Sequence, residues 1–197
     1  MGILNTGDII EQMQRDRTES QSKVTQLEGS EYDIDIVSEV LSNPNQLGTI
    51  VNGKTKHFYS NGAFNLIQLT LYVLKQTGPA NVFISTYSIA EDSITALRKQ
   101  YDIGNIKDIR FLIDNRVRTI SPKPFEHLVK AFPGCYRCTA LHAKVVCISN
   151  KDWHISIVGS QNATHNPKLE RGIIHTDPSV WMFDVKNLQH VFNSGTE

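Results

Sequence analysis

What most constrains the fold of this chain is an alternation of two hydrophobic periods between residues 63 and 132. Phe64, Ile67, Leu71 and Leu74 recur at helical spacing over 63–76, and the pattern stops at Gly78-Pro79. Val82-Phe83-Ile84-Ser85-Thr86 is too short for a helix and reads as a buried strand. Residues 91–100 carry Ile94 and Leu97 on one helical face, 106–113 read as a strand, and 124–132 as a further helix. Strands alternating with helices predict an α/β domain with a mixed, largely parallel central sheet flanked by helices.

The C-terminal third changes character. Residues 139–149 and 153–159 read as two apolar strands joined in a hairpin by Asn150-Lys151-Asp152, and 170–176 as a third strand. Asp177-Pro178 then opens a last helix, with Asp as N-cap and Pro in the first turn. Upstream, 49–59 with Asn52-Gly53 at its centre predicts a hairpin with a two-residue turn. Asn43-Pro44-Asn45 punctuates the chain, so residues 1–42 are expected to be a mobile or helical N-terminal arm and 43–197 the compact domain. No internal repeat is apparent.

The 197 residues are enough for one domain with a real core. The longest apolar stretch, from Phe64 to Leu74, is interrupted by Asn65, Gln68 and Thr70, and falls short of the ~20 residues of a membrane helix. No secretory leader is visible, and an odd number of cysteines, Cys135, Cys138 and Cys147, argues for a reducing, cytoplasmic setting. Met1-Gly2-Ile3-Leu4-Asn5-Thr6 fits the N-myristoylation pattern. A single acyl chain binds membranes only marginally and no polybasic patch follows, so no stable membrane association is expected. The formal charge is zero, yet residues 1–42 sum to −6 and residues 103–151 to +6. Neutrality therefore does not exclude a polyanionic partner for the basic segment.

That basic segment contains the residues that carry chemistry. In extended chain residues two apart share a face, so His142 and Lys144 point one way while Ala143, Val145 and Cys147 point the other. Gly159-Ser160-Gln161-Asn162 closes the return strand and brings Ser160 and Asn162 toward His142. Lys144 and Asn162 can bind non-bridging phosphate oxygens while His142 attacks phosphorus or moves a proton. Cys135, Cys138, His142 and Cys147 also suggest a zinc set. His142 and Cys147 are an odd five residues apart, however, which places them on opposite faces, and no metal site is expected.

Taken together, His142-x-Lys144, Asp152 and Gly159-Ser160-Gln161-Asn162 resemble the signature of the phospholipase D superfamily, whose lysine and aspartate are separated by four residues where this chain has seven. The difference falls at the hairpin turn and touches the role of Asp152. The continuation through Asn166-Pro167 also looks like the family's, with Glu170 matching the glutamate that supports the histidine. The resemblance implies catalysis by His142, Lys144, Ser160, Asn162 and Glu170, substrate contacts from Lys144, Asn162 and Gly159, a phosphohistidine intermediate, and neither metal nor other cofactor. Such sites use two motifs. The other histidines, His57, His127, His154, His165, His175 and His190, have no lysine two residues on. The chain therefore resembles the single-motif endonucleases, which complete the site by homodimerisation. The expected function is a metal-independent phosphodiesterase hydrolysing DNA or RNA. The alternatives are a catalytically silent nucleic-acid-binding or complex subunit, and a phospholipid phosphodiesterase.

Overall fold

The computed structural model describes residues 33–197. The first 32 residues, with the acylation pattern and most of the expected arm, lie outside the described residues. The strands are β1 (Asp33–Leu41), β2 (Lys54–Ser60), β3 (Ala80–Thr86), β4 (Ile106–Asp114), β5 (Tyr136–Thr139), β6 (Val145–Ser149), β7 (His154–Gly159) and β8 (Glu170–His175). They form one mixed sheet in the order β1-β2-β8-β7-β6-β3-β4-β5. The helices are α1 (Leu66–Thr77), α2 (Glu91–Asp102), α3 (Val117–Ile120), α4 (Pro122–Ala131) and α5 (Pro178–Ser194).

The expected mixed α/β sheet is present, but it is not largely parallel: among the described residues three strand pairs, at the two ends, are parallel and the four between them antiparallel. β3, β4 and β5 are linked by helical crossovers, which parallel pairing requires, whereas β6, β7 and β8 follow one another through short loops and pair antiparallel. Side chains alternate across the sheet. Val82, Ile84, Phe111, Ile113, Val146, Ile148, Ile155 and Ile157 pack with Leu66, Leu69, Ile94, Leu97 and Leu128 of α1, α2 and α4. Phe83, Leu112 and Cys147 face the other way onto Leu188 of α5.

Three local expectations differ from what folds. β1 draws Asp33–Leu41 into the sheet, so this part of the segment read as an arm belongs to the compact unit Tyr32–Glu197. Asp35 there sits 3.7 Å from Lys54 Nζ and 3.6 Å from Lys56 Nζ across the parallel pair. The Asn52-Gly53 turn exists, with Gly53 at φ 82° and Lys54 N donating to Val51 O. It opens β2 without closing a hairpin, because β2 pairs with β1 and β8. Finally, the strand expected over 139–149 is broken: β5 ends at Thr139, β6 begins at Val145, and His142 lies in the extended stretch between them.

Beneath α5 lies a polar cluster. The Ser156 hydroxyl donates to Asp184, Cys147 Sγ is 3.8 Å from Ser156 Oγ, and Thr55 Oγ1 is 3.3 Å from His175 Nδ1. Burial pushes the Cys147 thiol up to about 12. Burial also holds His175 below its ordinary range, with Asp184 opposing and His57 adding to the shift. In the unfolded chain a histidine titrates near about 6.5. The unfolded state then binds the proton first, so this contribution to stability is complete above about pH 6.5 and is lost as the pH falls through the folded value. Asp184, raised by burial, acts in the opposite sense as the pH falls toward ordinary carboxylate values. The melting temperature of the parent should therefore fall from pH 7 to pH 5.5 more than that of His175→Gln.

Candidate functional site

One edge of the sheet gathers the C-terminal ends of β2, β3, β4 and β7 with the starts of β6 and β8. The register makes this so: Ser85 is opposite Val145, Val145 opposite Val158, Gly159 opposite Gly172, and Ser60 opposite Glu170. Ligands of open α/β sheets bind at such strand ends, where loops diverge.

The segment 141–144 is tied to this edge at three points in place of a ladder. Leu141 N donates to Asp114 Oδ2 at 3.0 Å, the Ser85 hydroxyl donates to Ala143 O at 3.0 Å, and Gly159 N donates to Lys144 O at 3.2 Å. Although no strand is formed, the His142 and Lys144 side chains meet, as the sequence predicts. Lys144 Nζ lies 3.0 Å from His142 Nδ1 and 3.3 Å from Nε2, and donates to His142 O at 2.6 Å. Lys144 is 7% exposed while His142 is exposed. Burial lowers the lysine pKa, and the negative charge of Glu170 opposes that shift. The His142 ring stands 5.4 Å from the Tyr87 ring, centroid to centroid.

Ser160 and Glu170 meet at the start of β8. The Ser160 hydroxyl donates to Glu170 Oε2 and accepts from Arg171 N at 3.0 Å, and Asn166 Nδ2 donates to Glu170 Oε1 at 3.0 Å. The hydrogen bond expected between Glu170 and His142 is not formed within the chain; this buried carboxylate is held by Ser160 and Asn166. Asn162 is placed by its own carbonyl, which accepts from Leu66 N at 3.0 Å at the start of α1. Its side-chain Oδ1 is buried with no partner. α1 is in turn fixed by Asn65, whose Oδ1 accepts from Ile67 N and Gln68 N and whose Nδ2 donates to Ser93 Oγ of α2. Such a capping box is worth about 1 kcal/mol. Ser93 Oγ then donates to Ala163 O, tying both helix starts to the segment that follows Asn162.

Gly159 serves close approach. A Cβ there would lie 2.9 Å from Arg171 O and 3.1 Å from Gln161 Oε1. Asp152 is not brought to the site. It sits in the exposed turn between β6 and β7, at the opposite end of that hairpin, where it pairs with Lys151 at 3.6 Å. The cysteines divide between the faces of the sheet, Cys138 with the α1–α2–α4 core and Cys147 with the α5 core. Among the described residues no three His, Cys, Asp or Glu side chains are grouped so as to hold a metal ion. No helix among them is long and apolar enough to cross a membrane.

Sequence reasoning missed Tyr87, which packs on the His142 ring, and Asp114 and Arg116, which are tied to that edge through Leu141 N and Tyr87. Their signal was positional: Tyr87 follows the last residue of β3, and Asp114 ends β4 with Arg116 two residues beyond.

No family model matches the sequence, and no curated protein matches it. Solved structures do resemble the fold. The phospholipase D family member Nuc from Salmonella typhimurium superposes with a TM-score of 0.56 at 20% identity, over 72% of this chain and 95% of that one. NucT from Helicobacter pylori gives 0.55 at 18% identity, over 73% and 99%. A polyphosphate kinase from Porphyromonas gingivalis gives 0.53 at 13% identity, over 73% of this chain but 26% of that one. Matched along nearly the whole length of Nuc and of NucT, this chain has a fold like that of the phospholipase D family member Nuc.

Proposed function

We propose that the protein is a metal-independent phosphodiesterase, an endonuclease acting on DNA or RNA, whose site is completed by a second copy of the chain. The observation that carries this reading is the pairing of an exposed imidazole with a buried ammonium, Lys144 Nζ 3.0 Å from His142 Nδ1, at a sheet edge that also holds Ser160 and Asn162. Lys144 stands ready to neutralise the non-bridging oxygens of a phosphodiester, and its burial strengthens that attraction. Asn162, at the same edge, would bind a phosphate oxygen through its amide N–H; its Oδ1, which has no partner among the described residues, is an acceptor and takes no part in that contact. His142 attacks phosphorus and the leaving oxygen departs. Water then attacks the phosphohistidine, so that the P–N bond breaks as the new P–O bond forms and the enzyme is regenerated.

Protonating the leaving oxygen needs a second acid. The chain holds one His-x-Lys, and the two-fold partner supplies the other. The Glu170 carboxylate, held by Ser160 and Asn166 away from its own His142, is oriented from the same edge and serves a histidine brought up across the two-fold axis. Nucleic acid is preferred to phospholipid because residues 103–151 carry the +6 segment that leads into His142.

The deciding experiment assays single- and double-stranded DNA, RNA, a bis-aryl phosphodiester and a phospholipid with and without chelator. Cleavage of nucleic acid and of the aryl diester, unchanged by chelator, is expected. Loss of activity in chelator overturns the metal-free mechanism, and turnover of phospholipid alone overturns the substrate class. No turnover of any substrate by a correctly folded dimer favours the silent subunit.

A further inference from the structure

The strand edge holds a second cation on Tyr87, the ring that also packs on His142. Asp114, at the end of β4, is 2% exposed and binds Arg116 with Nε at 2.8 Å and Nη2 at 3.4 Å. The Arg116 backbone N donates to the same carboxylate at 3.0 Å. Its other oxygen accepts from Leu141 N, the residue before His142. The Arg116 guanidinium carbon lies 4.8 Å over the Tyr87 ring, and Lys144 Nζ lies 5.9 Å from that ring's centroid. Tyr87 therefore lies near both cations and the His142 imidazole. The Arg116 side chain is 62% exposed, and its Nη1 takes no partner among the described residues.

A surface arginine ordinarily loses considerable rotamer freedom when it binds an anion. This one is already fixed by a carboxylate fork and an aromatic face, with a pair of N–H donors left pointing outward. We propose that Arg116, seated on Tyr87, forms a second phosphate subsite that grips the backbone phosphate neighbouring the one attacked at His142. The subsite rests on the nuclease reading above and sharpens it: the ligand is a chain carrying at least two phosphodiesters. A phosphodiester flanked by no second phosphate gains nothing from it. Asp114 is the positioning residue, since one buried carboxylate sets both the arginine and the chain entering His142.

The test uses two variants of the full chain. Arg116→Lys keeps Asp114 paired but lacks the planar fork and the stacking surface. It should lower kcat/KM on an oligonucleotide about tenfold more than on the bis-aryl diester. Equal losses on the two substrates, or no loss on the oligonucleotide, overturn the subsite. The second variant, Asp114→Asn/Arg116→Gln, removes the pair together and leaves no buried unpaired charge. It is read by binding alone, in a His142→Asn background, with a single-stranded oligonucleotide as probe. The slope of log affinity against log salt should shrink by about 0.7, one phosphate contact. An unchanged slope overturns the proposal. If the parent binds with the expected salt dependence yet cleaves nothing, the nuclease reading falls while the slope still decides the subsite. A parent that shows no salt-dependent binding overturns both.

Discussion

His142→Ala is expected to lower phosphodiester cleavage by about 10⁴-fold or more, because it removes the attacking atom and with it the covalent route. The fold should survive. His142 is exposed, and substitutions at such positions usually change stability by no more than about 0.5 kcal/mol. Lys144 keeps a partner in the variant, since its 2.6 Å bond goes to the backbone oxygen of residue 142 and not to the ring alone. His142→Asn, which retains a polar side chain, should be equally inactive. Either variant with near-parental cleavage would end the phosphohistidine mechanism.

Mixing active and His142→Ala chains tests the two-fold site in the same experiment. If both histidines serve one centre, activity follows the square of the active fraction, and a half-and-half mixture of randomly exchanged chains keeps about a quarter of the parental activity. Proportional loss, about one half, would mean that each chain works alone. Dimerisation itself is read from sedimentation of both proteins, which should be indistinguishable.

Much of the site was legible because it depends on local alternation. His142 and Lys144 meet although residues 141–144 do not join a ladder, so the two-residue spacing sufficed to read the pair. The Gly159–Asn162 turn reached the same edge because the intervening hairpin has a simple register, Val145 opposite Val158. What could not be read was non-local. β1 alternates Asp33-Ile34-Asp35-Ile36, the period of a strand, but Ile34 and Ile36 are its exposed members and the strand is claimed by lysines twenty residues on. The Asn52-Gly53 turn was recognised, yet its flanking strand pairs with β1 and with β8, more than a hundred residues away. Tyr87 and Arg116 belong to loops after different strands. Only the parallel pairing of β3 with β4 brings them to the same edge.

The second large effect falls on a residue outside the catalytic set. Gly62 has φ 78°, and a Cβ there would come within 2.0 Å of Asn166 O and 2.7 Å of Lys168 N and O. All three are backbone atoms, so no side chain can swing aside. Gly62→Ala therefore adds a forced movement of the 166–168 loop to the left-handed backbone cost, and should destabilise the fold by about 3 kcal/mol. Gly78 is not a fair control. A Cβ there would meet nothing within 4 Å but would be held at φ 75° and ψ −168°, a region open essentially to glycine. Gly104 is the left-handed control instead, at φ 78° with nothing within 4 Å and with Gly104 N donating to Tyr101 O and Asn105 N to Gln100 O after α2. Gly104→Ala therefore carries the backbone cost alone, about 1 kcal/mol. For a domain of this size the melting temperatures should fall by about 6–12 °C and about 2–4 °C respectively. The loop that Gly62 admits carries Asn166, whose amide holds Glu170 at 3.0 Å. Gly62→Ala should therefore lose activity even well below its melting temperature, whereas Gly104→Ala should not. Equal shifts in the two variants would show that the loop yields freely, and that the placement of Glu170 does not depend on the close approach of Gly62 to the backbone of Asn166.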